Sequence, residues 1–114
     1  MENASRVGLV ALDILEEMNA RHPSIGHVRG IGLMIGAEFI KDPKTKEPDH
    51  ELRERIINLA FERGLLMLGC GKSTIRISPP LNISESEMEA GLEIFEEAVT
   101  IAERERERLP QYAA

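Results

Sequence analysis

The sequence predicts an α+β domain: a small, largely antiparallel sheet covered on one face by helices, in the order α-β-β-α-β-β-α. Three observations carry this. Apolar residues recur at helical spacing in three separate stretches, short runs rich in β-branched residues lie between them, and glycine, proline or charged turns mark the junctions. Helices interleaved with short paired strands fold as a layered sandwich. At 114 residues, the chain has room for a modest core and reads as a single domain, 1–114.

The first helix runs from Glu2 to Ala20. Val7, Val10, Ala11, Ile14, Leu15 and Met18 fall on one face, and His22-Pro23 ends it. In "IGHVRGIGLMIGAEFI" the alternation predicts two strands, Ile25 to Arg29 and Leu33 to Ile40, with a glycine bend or bulge between them. "KDPKTKEPDH" is a charged loop. A second helix, near Asp49 to Arg63, carries Leu52, Ile56, Leu59 and Ala60 on one side and stops at Gly64. "LLMLG" reads as a short strand, "GCGKST" as a loop and "TIRIS" as another strand. A long helix closes the chain, with Ser84 as its cap and Glu87 completing a capping box. The run "ERERER" at 103–108 alternates in sign, which predicts a solvated helix end with pairs such as Glu103 to Arg106.

Bulk properties exclude several function classes. A net charge of -6 argues against a general nucleic-acid binder, which needs surplus cations to displace phosphate counterions. Aromatic residues make up only 4% and tryptophan is lacking, so a base- or sugar-stacking surface is not expected. No apolar run reaches membrane-spanning length, and "MENASRVG" has no signal-peptide pattern. The single cysteine, Cys70, fits a reducing compartment, so the expected location is cytoplasmic.

The candidate motifs are weighed by spacing. "GCGKST" ends like a phosphate loop, but the glycine required five places before Gly71 is Leu66, and a strand follows Lys72. "GIGLMIG" is one residue too long for a dinucleotide fingerprint, and again a strand follows. His22, His27, His50 and Cys70 show no metal-ligand spacing, and surface or loop roles are expected for them. Cys70 has no inferable base nearby and reads as a small residue in a tight loop. Arg76 stands apart. Flanked by Ile75 and Ile77, it points to the opposite face from theirs, and Pro79 and Pro80 hold the following chain extended. It is either an exposed strand arginine paired with a surface glutamate or a rigid guanidinium offered to a carboxylate.

"VRGIGLMIGAEFI" (28–40), "AFERGLLMLGCGKSTIRISPPLNIS" (60–84) and "EAGLEIFEEAV" (89–99) together resemble the C-terminal small domain of class III, pyridoxal-phosphate-dependent aminotransferases. Within these the sequence looks most like the 4-aminobutyrate aminotransferases. The resemblance extends over nearly the whole chain. It implies the C-terminal domain of a fold-type-I enzyme that moves an amino group from an ω-amino acid, such as 4-aminobutyrate, to a 2-oxo acid. It implies that Arg76 binds the substrate carboxylate or pairs with a glutamate of the large domain. It also implies that Gly69, Cys70 and Gly71 lie near the active-site cleft.

The resemblance further implies what this sequence leaves to others. The family's large domain carries the Schiff-base lysine, the aspartate facing the pyridinium nitrogen and the phosphate-binding loop. None of Lys41, Lys44, Lys46 and Lys72 matches the family's lysine motif. No catalytic, cofactor-binding or metal-binding residue is therefore expected here, and pyridoxal phosphate is expected only in the complete enzyme. The chain alone is expected to be inactive and to self-associate through surface that the large domain would cover. The competing expectation is a stand-alone ligand-binding or regulatory module that retains the fold without catalysis.

Overall fold

A computed structural model of the chain describes residues 2–31, 34–77 and 82–112. The elements follow in the expected order: α1 Glu2–Arg21, β1 Ile25–Ile31, β2 Met34–Phe39, α2 His50–Glu62, β3 Leu68–Cys70, β4 Thr74–Ile77 and α3 Glu85–Glu107. A short 3-10 turn, Pro110–Tyr112, follows α3.

Each helix forms and stops for a local reason. In α1, Val7, Ala11, Leu15 and Met18 are fully buried at spacings of three and four, which is one stripe of a helix. In α2, Oδ1 of Asp49 accepts from the Leu52 amide at 3.0 Å. At its far end Gly64 adopts φ +89°, a conformation glycine takes without strain. α3 opens on the expected capping box, the Glu87 amide donating to Ser84 Oγ at 3.1 Å and the Ser84 amide to Glu87 Oε1 at 3.0 Å.

The four strands form one antiparallel sheet in the order β1-β2-β4-β3. The strand limits differ from expectation: β1 continues to Ile31, β2 ends at Phe39, and β3 has only three residues. The irregularity in the first hairpin lies at Gly26, where Ile25 pairs with Phe39 but His27 pairs with Glu38. A Cβ there would lie 2.7 Å from Ile40 Cγ2, so the bulge needs a glycine. Of the bend expected at 30–32, Gly30 and Ile31 belong to β1 instead, and Gly32, like the stiffening prolines 79 and 80, lies outside the described residues.

The helices cover one sheet face. Val28, Ala37 and Ile75 form a directly opposed row on that face, all buried. Beneath the helices, Phe39 of β2 meets Phe95 of α3 edge to face, with ring centroids 6.2 Å apart. Each fully buried Val, Leu, Ile or Phe contributes about 1.5–3 kcal/mol. Stability therefore resides on the helix side, and the other sheet face is left for other work.

The charged end of α3 is only in part the solvated run that its alternation predicts: Arg104, Glu107 and Arg108 are exposed, whereas Glu103 and Arg106 are half-buried. Glu103 and Arg106 bond distant partners rather than each other, because α3 packs across α1 and α2 and lays these residues on their ends. Glu103 accepts from the Ser24 amide at 3.1 Å and lies 2.7 Å from His22 Nδ1, while Glu96 lies 2.8 Å from His22 Nε2. His22, expected in a surface or loop role, does lie in the loop between α1 and β1, but it is buried there. Arg106 Nη1 donates to the Ile40 carbonyl at 2.8 Å and to Asp49 Oδ2 at 3.0 Å, with its guanidinium over the Tyr112 ring. Glu105 takes two bonds from Arg55, which hold its carboxyl below the usual carboxylate range.

Candidate functional site

The sheet register places the candidate residues. Directly opposed residues share a face, so Arg29 of β1, Gly36 of β2, Arg76 of β4 and Leu68 of β3 form one row on the open side. His27, Glu38, Thr74 and Cys70 form the next row on the same side. The alternation that buries Ile75 leaves Arg76 exposed on an interior strand. Among the described residues, neither Arg76 nor Arg29 has a hydrogen-bond or ion-pair partner. At two strand spacings, about 9–10 Å between backbones, their repulsion through water is only about 0.4 kcal/mol. Arg29, Gly30, Ile35, Gly36, Cys70, Thr74 and Arg76 line a shallow hollow of about 410 Å³.

The turn between β3 and β4 is held from beneath. Arg53 of α2 is 4% exposed, and its Nη1 donates to the carbonyls of Thr74 at 2.8 Å and Cys70 at 3.3 Å. Its Nη2 lies 3.0 Å from Nδ1 of His50. Glu54 stands 3.0 Å from Nε without the alignment of a hydrogen bond, so that contact is charge attraction alone. Gly69 exists for this guanidinium: a Cβ there would lie 2.8 Å from Nη1. Gly71, at φ +60°, turns the chain back into β4. Of the residues expected near the cleft, Cys70 borders the same hollow as Arg76, Gly69 faces the helix side, and Gly71 serves backbone geometry.

Sequence reasoning missed two contributors. Arg29 escaped because "VRG" reads as an ordinary strand, and only the pairing with β2 sets it across Gly36 from Arg76. Arg53 escaped because its partners lie 17 and 21 residues away. A second hollow of about 370 Å³ lies at the β3 end of the sheet, between Leu65, Leu66, Ile83, Met88 and Leu92, with Arg76 at its margin. A third hollow, about 520 Å³, borders Asp49, Arg55, Glu105 and Arg106, and these charges are paired with one another. Among the described residues, no group of three or more His, Cys, Asp or Glu stands close enough to hold a metal ion. No helix among them is long and apolar enough to cross a membrane.

The family described as aminotransferase class-III matches residues 1–99. Among curated relatives, isoleucine 2-epimerase of Lentilactobacillus buchneri is 35% identical over 111 residues, covering 97% of this chain and 25% of its own length. The 4-aminobutyrate aminotransferase GabT of Escherichia coli (strain K12) is 36% identical over 97 residues, covering 83% of this chain and 23% of its own length. A PLP-bound aminotransferase mutant from Vibrio fluvialis superposes with a TM-score of 0.83 and 30% identity, over 91% of this chain and 23% of that one. The chain thus spans about a quarter of the length of the curated relatives it matches.

Proposed function

Because the chain belongs to the class III aminotransferase family, we infer that it is the C-terminal, substrate-facing small domain of a pyridoxal-phosphate-dependent aminotransferase. In this reading Arg76 takes the carboxylate of the amino-acid or 2-oxo-acid substrate. One observation carries it: Arg76 is an exposed guanidinium without a partner among the described residues, on an interior strand, on the face that no helix covers. Its planar fork matches a carboxylate bidentately, and the strand fixes its direction. The likeness to GabT supports an ω-amino acid such as 4-aminobutyrate as donor.

The residues present do not fit a cofactor cradle. A Schiff-base lysine needs a desolvated site beside the cofactor. Lys41, Lys44, Lys46 and Lys72 are all exposed on loops, and Lys41 stands 3.6 Å from Glu47. The cofactor, its lysine and its phosphate loop therefore belong to a large domain supplied outside these residues, and the chain by itself is inactive. Its part is to orient the substrate and to offset its charge.

The likeness to isoleucine 2-epimerase favours a second reading, inversion at the α-carbon of an amino acid. A carboxylate anchor serves either reaction, so Arg76 keeps its role in both.

The test exchanges this chain for the matching quarter of GabT. We expect a chimera that uses 4-aminobutyrate and loses about 30- to 5,000-fold in kcat/KM with Arg76→Gln, the range of a desolvated charge pair, while cofactor absorbance stays the same. Product analysis separates the readings: transfer yields a new amino acid from the 2-oxo acid, whereas inversion returns the same amino acid with opposite configuration. Unchanged specificity constants for every carboxylate substrate in the Arg76→Gln chimera would overturn the assignment.

A further inference from the structure

The guanidinium that holds the β3–β4 turn is itself held, at its other nitrogen, by an atom that can serve only one of two neighbours. Nδ1 of His50 lies 3.0 Å from Arg53 Nη2 and 3.2 Å from the Lys72 carbonyl oxygen. A guanidinium only donates and a carbonyl only accepts. A bare Nδ1 therefore takes the bond from Arg53, whereas a protonated Nδ1 gives its bond to Lys72. The neutral ring keeps Nδ1 bare, because a bond from a charged donor is the stronger of the two. A second proton reverses the choice and sets an imidazolium against the guanidinium.

That reversal reaches the turn. Arg53 Nη1 bonds the Cys70 and Thr74 carbonyls, and the turn lies so close on it that a Cβ at Gly69 would stand 2.8 Å from the same nitrogen. Displacing the guanidinium loosens the turn at Cys70 and at Thr74, both on the rim of the Arg76 hollow. His50 is exposed, so protons reach it. On the turn, Lys72 adds positive charge beside the ring and Cys70 a thiol; on α2, Glu51 and Glu54 add negative charge, Glu54 at 3.0 Å from Arg53 Nε. Across the hollow that His50 borders, Asp49 is paired with Arg106 and Glu105 with Arg55, and Lys41 and Tyr112 border it too. Of all these residue types, only histidine ordinarily changes charge between pH 5 and 8.

We propose that His50 and Arg53 form a proton-operated latch on the β3–β4 turn: the neutral imidazole braces the guanidinium beneath the turn, and the protonated imidazole releases it. Arg53 is a positioning residue and takes up no proton itself. The latch stands apart from the assignment of Arg76 to a carboxylate.

The test titrates the isotope-labelled 114-residue chain from pH 8 to pH 5 by NMR, following the His50 ring nitrogens and the amide hydrogen exchange of residues 68–77. At pH 8, Nε2 should carry the proton and Nδ1 none. As His50 takes up its second proton, protection of the β3–β4 amides should fall about 10- to 100-fold relative to those of α3, the effect of losing one hydrogen bond to a charged group. His50→Gln offers a carbonyl to Arg53 and an amide to Lys72 at every pH, so it should keep its protection throughout. His27 shares the open-face row of Thr74 and Cys70, and His27→Gln should leave the transition in place. A proton on Nδ1 at pH 8, protection that holds while His50 titrates, or a fall that persists in His50→Gln would each overturn the latch. The first two are read on the parent chain, so they decide the matter even if a variant fails to fold.

Discussion

Two arginines in this chain divide the work of the residue type between them. Arg53 is buried and bonds backbone carbonyls on both sides of the β3–β4 turn; Arg76 is exposed and bonds nothing among the described residues. The first is a structural part, and the second is free for a ligand. Replacing Arg53 with Met keeps much of the volume but strands two carbonyls. We expect a loss of about 2–3 kcal/mol, as for hydrogen bonds to a charged group, read as a lowered urea midpoint at unchanged slope. An Arg53→Lys variant should recover only part of it, because one ammonium cannot reproduce the fork. Arg76 was legible in the sequence, since strand alternation alone sets it opposite Ile75. Arg53 was not, because on α2 it neighbours apolar Leu52 and its burial depends on a turn that arrives later in the chain.

At the scale of elements, helix ends are secured in two ways that differ in how far apart the partners lie. The Ser84–Glu87 box spans three residues, so a reader of the sequence finds it. The clasp of His22 with Glu96 and Glu103 joins the end of α1 to α3 across 74 and 81 residues, and no local pattern announces it. Burial pushes the Glu96 carboxyl up, but hydrogen bonds from His22 and Arg21 outweigh it and hold the group below its ordinary value. A carboxyl depressed by folding adds stability above its unfolded pKa and loses it as pH falls through the folded value. The Glu96→Gln variant should therefore be less stable than the parent near neutral pH. The gap should narrow as pH drops below the ordinary carboxylate range, about 4–5, with urea midpoints at several pH values as the measure. A gap that holds constant down to pH 3 would mean that Glu96 contributes through shape rather than charge.

For the whole molecule, the asymmetry between its two sheet faces governs behaviour in solution. Leu66 and Leu68 are 73% and 57% exposed, and Leu68, in the row of Arg76, opens the three-residue edge strand β3. Apolar surface of this kind invites cover. The isolated chain should associate as its concentration rises in sedimentation runs, and Leu68→Lys, which adds a third cation to that row, should shift it toward monomer. Sedimentation as a monomer throughout would show that the face needs no cover. The order of elements and the layer of helices were legible, because each helix and strand carries its own period. The sheet order was not, since β2 meets β4 through pairings about forty residues apart and one period-2 strand looks much like another. The second arginine of the open face was hidden for the same reason.

The fastening of Arg106 to Ile40 and Asp49 has a consequence for how the chain is made. A ribosome releases Asp49 long before its cation, which follows 57 residues later. Until then that carboxylate, 4% exposed in the finished fold, has only its own helix cap to bond and has to remain hydrated. The corner between β2 and α2 thus stays open to water during synthesis and seals when the last turns of α3 arrive.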